Sequence, residues 1–338
     1  MRPITDLIGA LLAALRRLIA PLSDTVTRLD RPRAGGITGV MRDRARRRVL
    51  PFRLYSPPAD SPLPAPVVIF SHGLGGSRDA APHLGRALAK AGYYAFFLQH
   101  PGSDRSLIQG SRGPEDMRRR LMAAVRRPEG AQDRFLDIPF ALDQIEHMNR
   151  QGRLAGRLDT GRIGMAGHSY GARGTMAAAG QRMGVHGTRF KEPRIRAGVV
   201  LSPALPGGRG TQAAASGVYD AIGIPLLHIT GTEDGMPLAG TAFDPVTRTL
   251  PFRRIDRTDQ YLLVLDGATH DTFGGGRPRG KSAPGLPPGP ERQRHERAVA
   301  DATVLFFDAY LKDAPAARRR LHNGFAASLA PGDRFEVK

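Results

Sequence analysis

Short, unbroken apolar runs separated by longer stretches of helical periodicity recur along this chain of 338 residues. Val67-Val68-Ile69-Phe70, Tyr93 to Leu98, Ile163 to Ala166, Ile195 to Leu201, Ile224 to Ile229 and Tyr261 to Leu265 lack the polar alternation of a half-exposed strand, which predicts strands covered on both faces. Between them, Leu84 to Ala91, Phe135 to Met148, the small-residue stretch from Ala172 to Ala179 and Glu291 to Leu311 predict helices, with Pro139 fitting best in the first turn of its helix. Val49 to Tyr55 contains Pro51 and is closed by Pro57-Pro58, so it reads as a strand at an antiparallel margin, where proline is tolerated. Strands alternating with helices at this spacing predict an α/β fold: one mostly parallel, doubly wound sheet with helices on both faces and function at the carboxyl ends of its strands.

The ends of the chain read differently. In residues 1–22, Ile4, Leu7, Ile8, Leu11, Leu12, Leu15, Leu18 and Ile19 share one helical face, while Asp6, Arg16 and Arg17 interrupt the apolar run. This amphipathic helix is too short in apolar residues to span a bilayer and lacks a clear cleavage site, which leaves docking on the protein's own surface, a membrane-surface anchor through residues 4–19, or an atypical export signal. Residues 23–41, with Arg31-Pro32-Arg33 and Gly35-Gly36, read as a linker, residues 42–325 as the catalytic domain and residues 326–338 as a tail. Two polar excursions, 105–133 and 235–258, interrupt the alternation and are expected above the sheet, where they would shape substrate access.

The chemistry concentrates where the apolar runs stop. Ile163 to Ala166 leads into Gly167-His168-Ser169-Tyr170-Gly171, a Gly-x-Ser-x-Gly turn in which two glycines make room for a sharp reversal that exposes one hydroxyl. Ser169 is the candidate nucleophile. Asp234 follows the strand ending near Ile229, and His270 follows the strand ending at Leu265, so the order along the chain is Ser169, Asp234, His270. That order belongs to Gly-x-Ser-x-Gly hydrolases on a parallel sheet and to neither of the other two common serine-protease arrangements. A serine hydroxyl is a poor nucleophile at neutral pH; His270 would take its proton, and Asp234 would orient the imidazole. Glu233 and Asp266 compete with Asp234 for that role, although Asp266 stands only four residues from His270 and is better suited to capping a turn. His72 and His168 lie inside Gly-rich turns, where shaping the loop is the expected job, and His100 comes too early in the order. Backbone N–H groups of Tyr170 and of Leu74, in the loop Ser71-His72-Gly73-Leu74-Gly75-Gly76, are the expected oxyanion donors.

Composition narrows the alternatives. The absence of cysteine removes disulfides, thiolate metal sites and a Cys nucleophile. The formal charge of +19 invites a nucleic-acid reading, but the cations are nearly all arginine and the basic clusters, such as Arg118 to Arg120, lack interleaved aromatics in a chain without tryptophan. No nucleic acid is therefore expected as a partner. No Gly-x4-Gly-Lys-Ser/Thr phosphate loop and no His-Glu-x-x-His zinc motif occurs, so neither cofactor nor metal is expected. A cytoplasmic or peripheral membrane location is favoured over secretion. Acyl transfer through the same triad, and a non-catalytic basic surface-binding protein on this scaffold, remain open on the residues alone.

Ser71 to Gly76, His100-Pro101-Gly102-Ser103 and Gly167 to Gly171 resemble the corresponding segments of the α/β-hydrolase superfamily, and within it the dienelactone-hydrolase-like and platelet-activating-factor-acetylhydrolase-like serine esterases, over roughly residues 42–312. In the acetylhydrolases the acid follows the strand after the nucleophile helix, whereas here that strand ends in Ser202-Pro203. The resemblance therefore implies an acid one strand later, as in dienelactone hydrolases and cutinase-like polyesterases, which again is Asp234. Unlike the dienelactone enzymes proper, the nucleophile is serine. What the resemblance implies is a carboxylic ester hydrolase acting through an acyl-enzyme on a small-molecule, lipid or polyester ester.

Overall fold

The computed structural model describes residues 36–203, 217–235, 244–275 and 289–338. Among these, nine strands form one sheet: β1 (Ile37–Asp43), β2 (Arg48–Tyr55), β3 (Ala65–Ser71), β4 (Tyr94–Leu98), β5 (Leu158–His168), β6 (Ile195–Leu201), β7 (Leu226–Glu233), β8 (Gln260–Thr269) and β9 (Arg334–Val337). Their order is β1-β2-β4-β3-β5-β6-β7-β8-β9. From β4 through β8 all neighbours are parallel, while β1, β2 and β9 add antiparallel margins. The described helices are α1 (Pro82–Lys90), α2 (Pro114–Val125), α3 (Pro128–Arg150), α4 (Tyr170–Ala179), α5 (Leu250–Arg254), α6 (His270–Gly274), α7 (Pro290–Leu311) and α8 (Pro315–Asn323). This is an α/β architecture consistent with the α/β-hydrolase fold.

The two-sided burial expected of the apolar runs is visible residue by residue. In β3, Val68 and Phe70 pack with Leu84, Leu88, Phe306 and Phe307 of α1 and α7, while Val67 and Ile69 point the other way, into a core with Ile138, Leu142 and Ile145 of α3. Period-two alternation in the backbone thus feeds two cores from one run of four apolar residues.

The structure corrects several boundaries. Residues 37–41, read as the end of a linker, belong to β1, which pairs with β2 from Ile37↔Leu54 to Asp43↔Arg48. Residues 334–337, read as tail, form β9 against β8. Both are edge strands, buried on one side at most, and so lack the continuous apolar signature of the central ones. The excursion 105–133 is largely helical, comprising a 3-10 turn at Arg105–Leu107, α2 and the start of α3. Because α3 begins at Pro128, Pro139 lies inside the helix and not in its first turn. Burial of Ile138, Ala141, Leu142 and Ile145 against the sheet outweighs the roughly 3 kcal/mol cost of an internal proline. The amphipathic segment 1–22 and most of 235–243 lie outside the described residues. Among the described residues no helix is long and apolar enough to cross a membrane.

Candidate active site

β5 ends at His168 and α4 begins at Tyr170, so Ser169 carries the whole reversal, with φ 55° and ψ −111°. Such a conformation costs a non-glycine residue on the order of 1–3 kcal/mol, and the surroundings hold it in place. Ser169 N donates to Leu201 O of the neighbouring strand at 2.8 Å. The two glycines of the turn are there for closeness: a Cβ on Gly171 would stand 1.9 Å from Ser71 O, and one on Gly167 would stand 2.4 Å from Gly171 O. α4 can therefore start directly beneath the end of β3.

His270 is fixed at the first position of α6. A capping box joins Thr269 and Thr272 around it, with Thr269 N donating to Thr272 Oγ1 at 3.1 Å. Its Nε2 lies 2.9 Å from Ser169 Oγ, and its Nδ1 lies 2.8 Å from Asp234 Oδ1. The three side chains from the ends of β5, β7 and β8 thus form a hydrogen-bonded series with His270 in the middle. Glu233 and Asp266 are exposed, and Asp266 accepts from Thr232 Oγ1 at 3.1 Å; neither faces the imidazole.

Asp234 is fully buried and held on every side. Its Oδ2 accepts from Ser202 Oγ at 2.6 Å and from Thr230 Oγ1 at 2.8 Å, and Arg248 Nε lies 2.9 Å from Oδ1. Arg248 also donates to the carbonyls of Asp234, Ser202 and Pro203, tying the ends of β6 and β7 together. Ser202 occupies the strand end where the acetylhydrolases place their acid; here it is a donor to an acid on the adjacent strand.

Loop Ser71–Gly76 lies against Ser169: a Cβ on Gly73 would stand 3.5 Å from Ser169 Cβ. The loop is zipped to the turn after β4 by Gly75 N to Ser103 O at 2.9 Å and Arg105 N to Gly76 O at 2.7 Å. With the amides of Gly75 and Gly76 donating to Ser103 and Gly73 carbonyls, that of Leu74 lies between two anchored neighbours.

Beneath this loop runs a buried polar chain. His72 Nδ1 donates to Gly73 O at 2.6 Å, which leaves its Nε2 to accept from His100 N at 3.1 Å. His100 Nδ1 meets Asp137 Oδ2 at 3.0 Å and its Nε2 meets Ser71 Oγ at 3.0 Å. Asp137 also takes Arg48 at 2.9 Å and Arg46 at 2.9 Å. Arg134 donates to Ser103 Oγ at 2.9 Å, to Ser71 Oγ at 3.0 Å and to the carbonyl of His72. Burial, aided by the Arg134 charge, pushes His72 well below the ordinary histidine range and His100 down to about 4. His168 is likewise held neutral, first by burial and then by His270 and Arg248; its Nε2 meets the His270 carbonyl at 3.1 Å. All three imidazoles bond to backbone or to buried side chains of neighbouring elements.

Motif reading did not find Ser202, Thr230, Arg248, Arg134 or Asp137. A signal existed for two of them: Arg134 and Asp137 share the helical face of Ile138 and Ala141, so two charges stand in an apolar stripe. Ser202, Thr230 and Arg248 have no such signature: the pairing of β6 with β7 brings Ser202 to Asp234, the turn at the end of β7 brings Thr230, and the 3-10 turn Pro245–Thr249 brings Arg248. Among the described residues no three His, Asp, Glu or Cys side chains converge to hold a metal ion.

No model of a known protein family matches the chain. It is 23% identical over 217 residues to the bis(hydroxyethyl) terephthalate hydrolase of Streptomyces coelicolor (strain ATCC BAA-471 / A3(2) / M145). That match covers 64% of this chain and 54% of the Streptomyces protein, so the chain spans about half the length of the curated relative. The similarity makes the chain a distant homologue of an ester hydrolase.

Proposed function

We propose that the protein is a serine hydrolase that cleaves carboxylic esters through an acyl-enzyme. The observation that carries this reading is the continuous relay from Ser169 Oγ to His270 Nε2 at 2.9 Å and from His270 Nδ1 to Asp234 Oδ1 at 2.8 Å. Ser169 Oγ attacks the acyl carbon while His270 Nε2 takes its proton, and the imidazolium returns that proton to the departing alcohol. Water then repeats the sequence on the acyl-enzyme and regenerates Ser169. Asp234, held by Ser202, Thr230 and Arg248, keeps the Nδ1 proton in place and stabilises the imidazolium without taking the proton. The amides of Leu74 and Tyr170 serve the oxyanion, a site where loss of one donor costs about 100 to 1,000-fold in turnover. An acid after β7, the second strand beyond the nucleophile helix, favours the dienelactone-hydrolase-like arrangement over the acetylhydrolase-like one. The Streptomyces relative makes alcohol esters of aromatic acids, as small diesters or as polyester, the first substrates to try.

The purified protein should hydrolyse p-nitrophenyl butyrate and react covalently with a fluorophosphonate probe. Ser169→Ala should abolish both, and His270→Ala should lower turnover at least a thousand-fold. Full turnover by Ser169→Ala, or a wild-type protein inert toward every ester in a graded series and toward the probe, would end the proposal.

A further inference from the structure

Arg134 is the largest fully buried side chain among the described residues, at 1% exposure. Its described hydrogen bonds all go to neutral oxygens, those of Ser71, Ser103 and the His72 carbonyl, and its Nε has no partner. The nearby carboxylate Asp137 is engaged by Arg46, Arg48 and His100. A buried cation without a carboxylate in contact is costly, and a chain needing only a packing residue on this helix face would carry an apolar one. Burial brings the guanidinium down to about 10, still charged at neutral pH.

Its position gives the charge a use. The guanidinium holds the peptide oxygen that precedes Gly73-Leu74, and its Cζ lies 5.1 Å from the centroid of the Tyr170 ring. It therefore touches both chain segments that carry the proposed oxyanion donors, Leu74 and Tyr170. Its field reaches the surrounding groups, since it lowers the proton affinity of His72, His100 and His168.

We propose that Arg134 is a positioning residue for the oxyanion hole, anchoring the Ser71–Gly76 loop and supplying, through its permanent charge, stabilisation of the tetrahedral oxyanion beyond that of the two amides. The inference rests on the ester-hydrolase reading above. A neutral ester gains little from the buried cation, and the anionic intermediate gains much, because charge interactions are strong in a water-excluded interior. The effect therefore falls on kcat and spares KM.

Arg134→Gln removes the charge and retains donors. With near-ultraviolet circular dichroism matching the wild type, it should lose about 100-fold in kcat on p-nitrophenyl butyrate, with KM within about two-fold. Arg134→Lys keeps a charge in the same place, but a buried ammonium loses its proton far more readily than guanidinium. That variant should approach wild-type turnover at low pH and lose it as pH rises through the lysine pKa, a basic limb absent from the wild type. Wild-type kcat in Arg134→Gln, or an Arg134→Lys variant impaired equally at every pH, would overturn the inference, and the lysine profile decides it should the glutamine variant not fold. A wild-type protein that neither turns over esters nor takes the fluorophosphonate probe would remove the ester-hydrolase reading instead, so the two failures are distinguishable.

Discussion

Lowering the pH from 7.5 to 5.5 acts first on five histidines that the fold keeps neutral. His72, His100, His168 and His228 are buried and His83 is nearly so; burial holds His83, His100 and His228 near 4 and the other two well below the ordinary value of 6.5. In the unfolded chain each titrates near 6.5, so as pH falls below that value the unfolded state binds protons that the folded state refuses. Stability is therefore fully present above 6.5 and drains away toward the folded pKa near 4. At pH 5.5 the cost is roughly 1.4 kcal/mol per histidine, about 7 kcal/mol for the five, which is comparable with the whole stability of an ordinary domain. Urea unfolding followed by circular dichroism at pH 7.5, 6.5 and 5.5 measures this, and the slope should correspond to an uptake of between about four and five protons at the acid end. Carboxylates contribute little in this window, since they titrate near 4 in the unfolded chain. His228→Leu, remote from the triad, should remove about a fifth of the slope. Unfolding free energies at pH 7.5 and 5.5 that agree within about 1 kcal/mol would show that these imidazoles are not held neutral, and the reasoning would fail.

Two glycines should respond oppositely to the same change. Gly171→Ala drives a Cβ to 1.9 Å from Ser71 O, backbone against backbone, and should cost more than 3 kcal/mol and most of the activity, whereas Gly130→Ala, in α3, meets only Ala124 O at 3.7 Å and should raise stability by about 0.5–1 kcal/mol; thermal melts of both variants check this. Arg248→Met releases the Asp234 carbonyl and carboxylate from the β6 and β7 ends, and should lower kcat on p-nitrophenyl butyrate by about 10 to 100-fold with KM nearly constant, as steady-state kinetics would show.

What the linear chain determined is local and periodic. Runs such as Val67 to Phe70 have to be covered on both faces whatever surrounds them, so the α/β class and the central strands were legible, and the glycines around Ser169 declared a reversal tight enough to need them. Order alone placed Ser169, Asp234 and His270 in one candidate set. Edge strands β1 and β9 were not legible, because a strand buried on one side at most and completed by its neighbour has no apolar run of its own. The supports of the site were hidden for a related reason. Ser202 is 32 residues from Asp234 and Arg134 is 62 from His72; the first meets its partner through the parallel pairing of β6 with β7, the second through the packing of α3 against β3. Periodicity reports which face of an element is buried; it cannot report which polar group waits on the facing element. That pairing, and the low-dielectric interior it creates around Arg134, Asp137 and the neutral histidines, was decided by the tertiary structure.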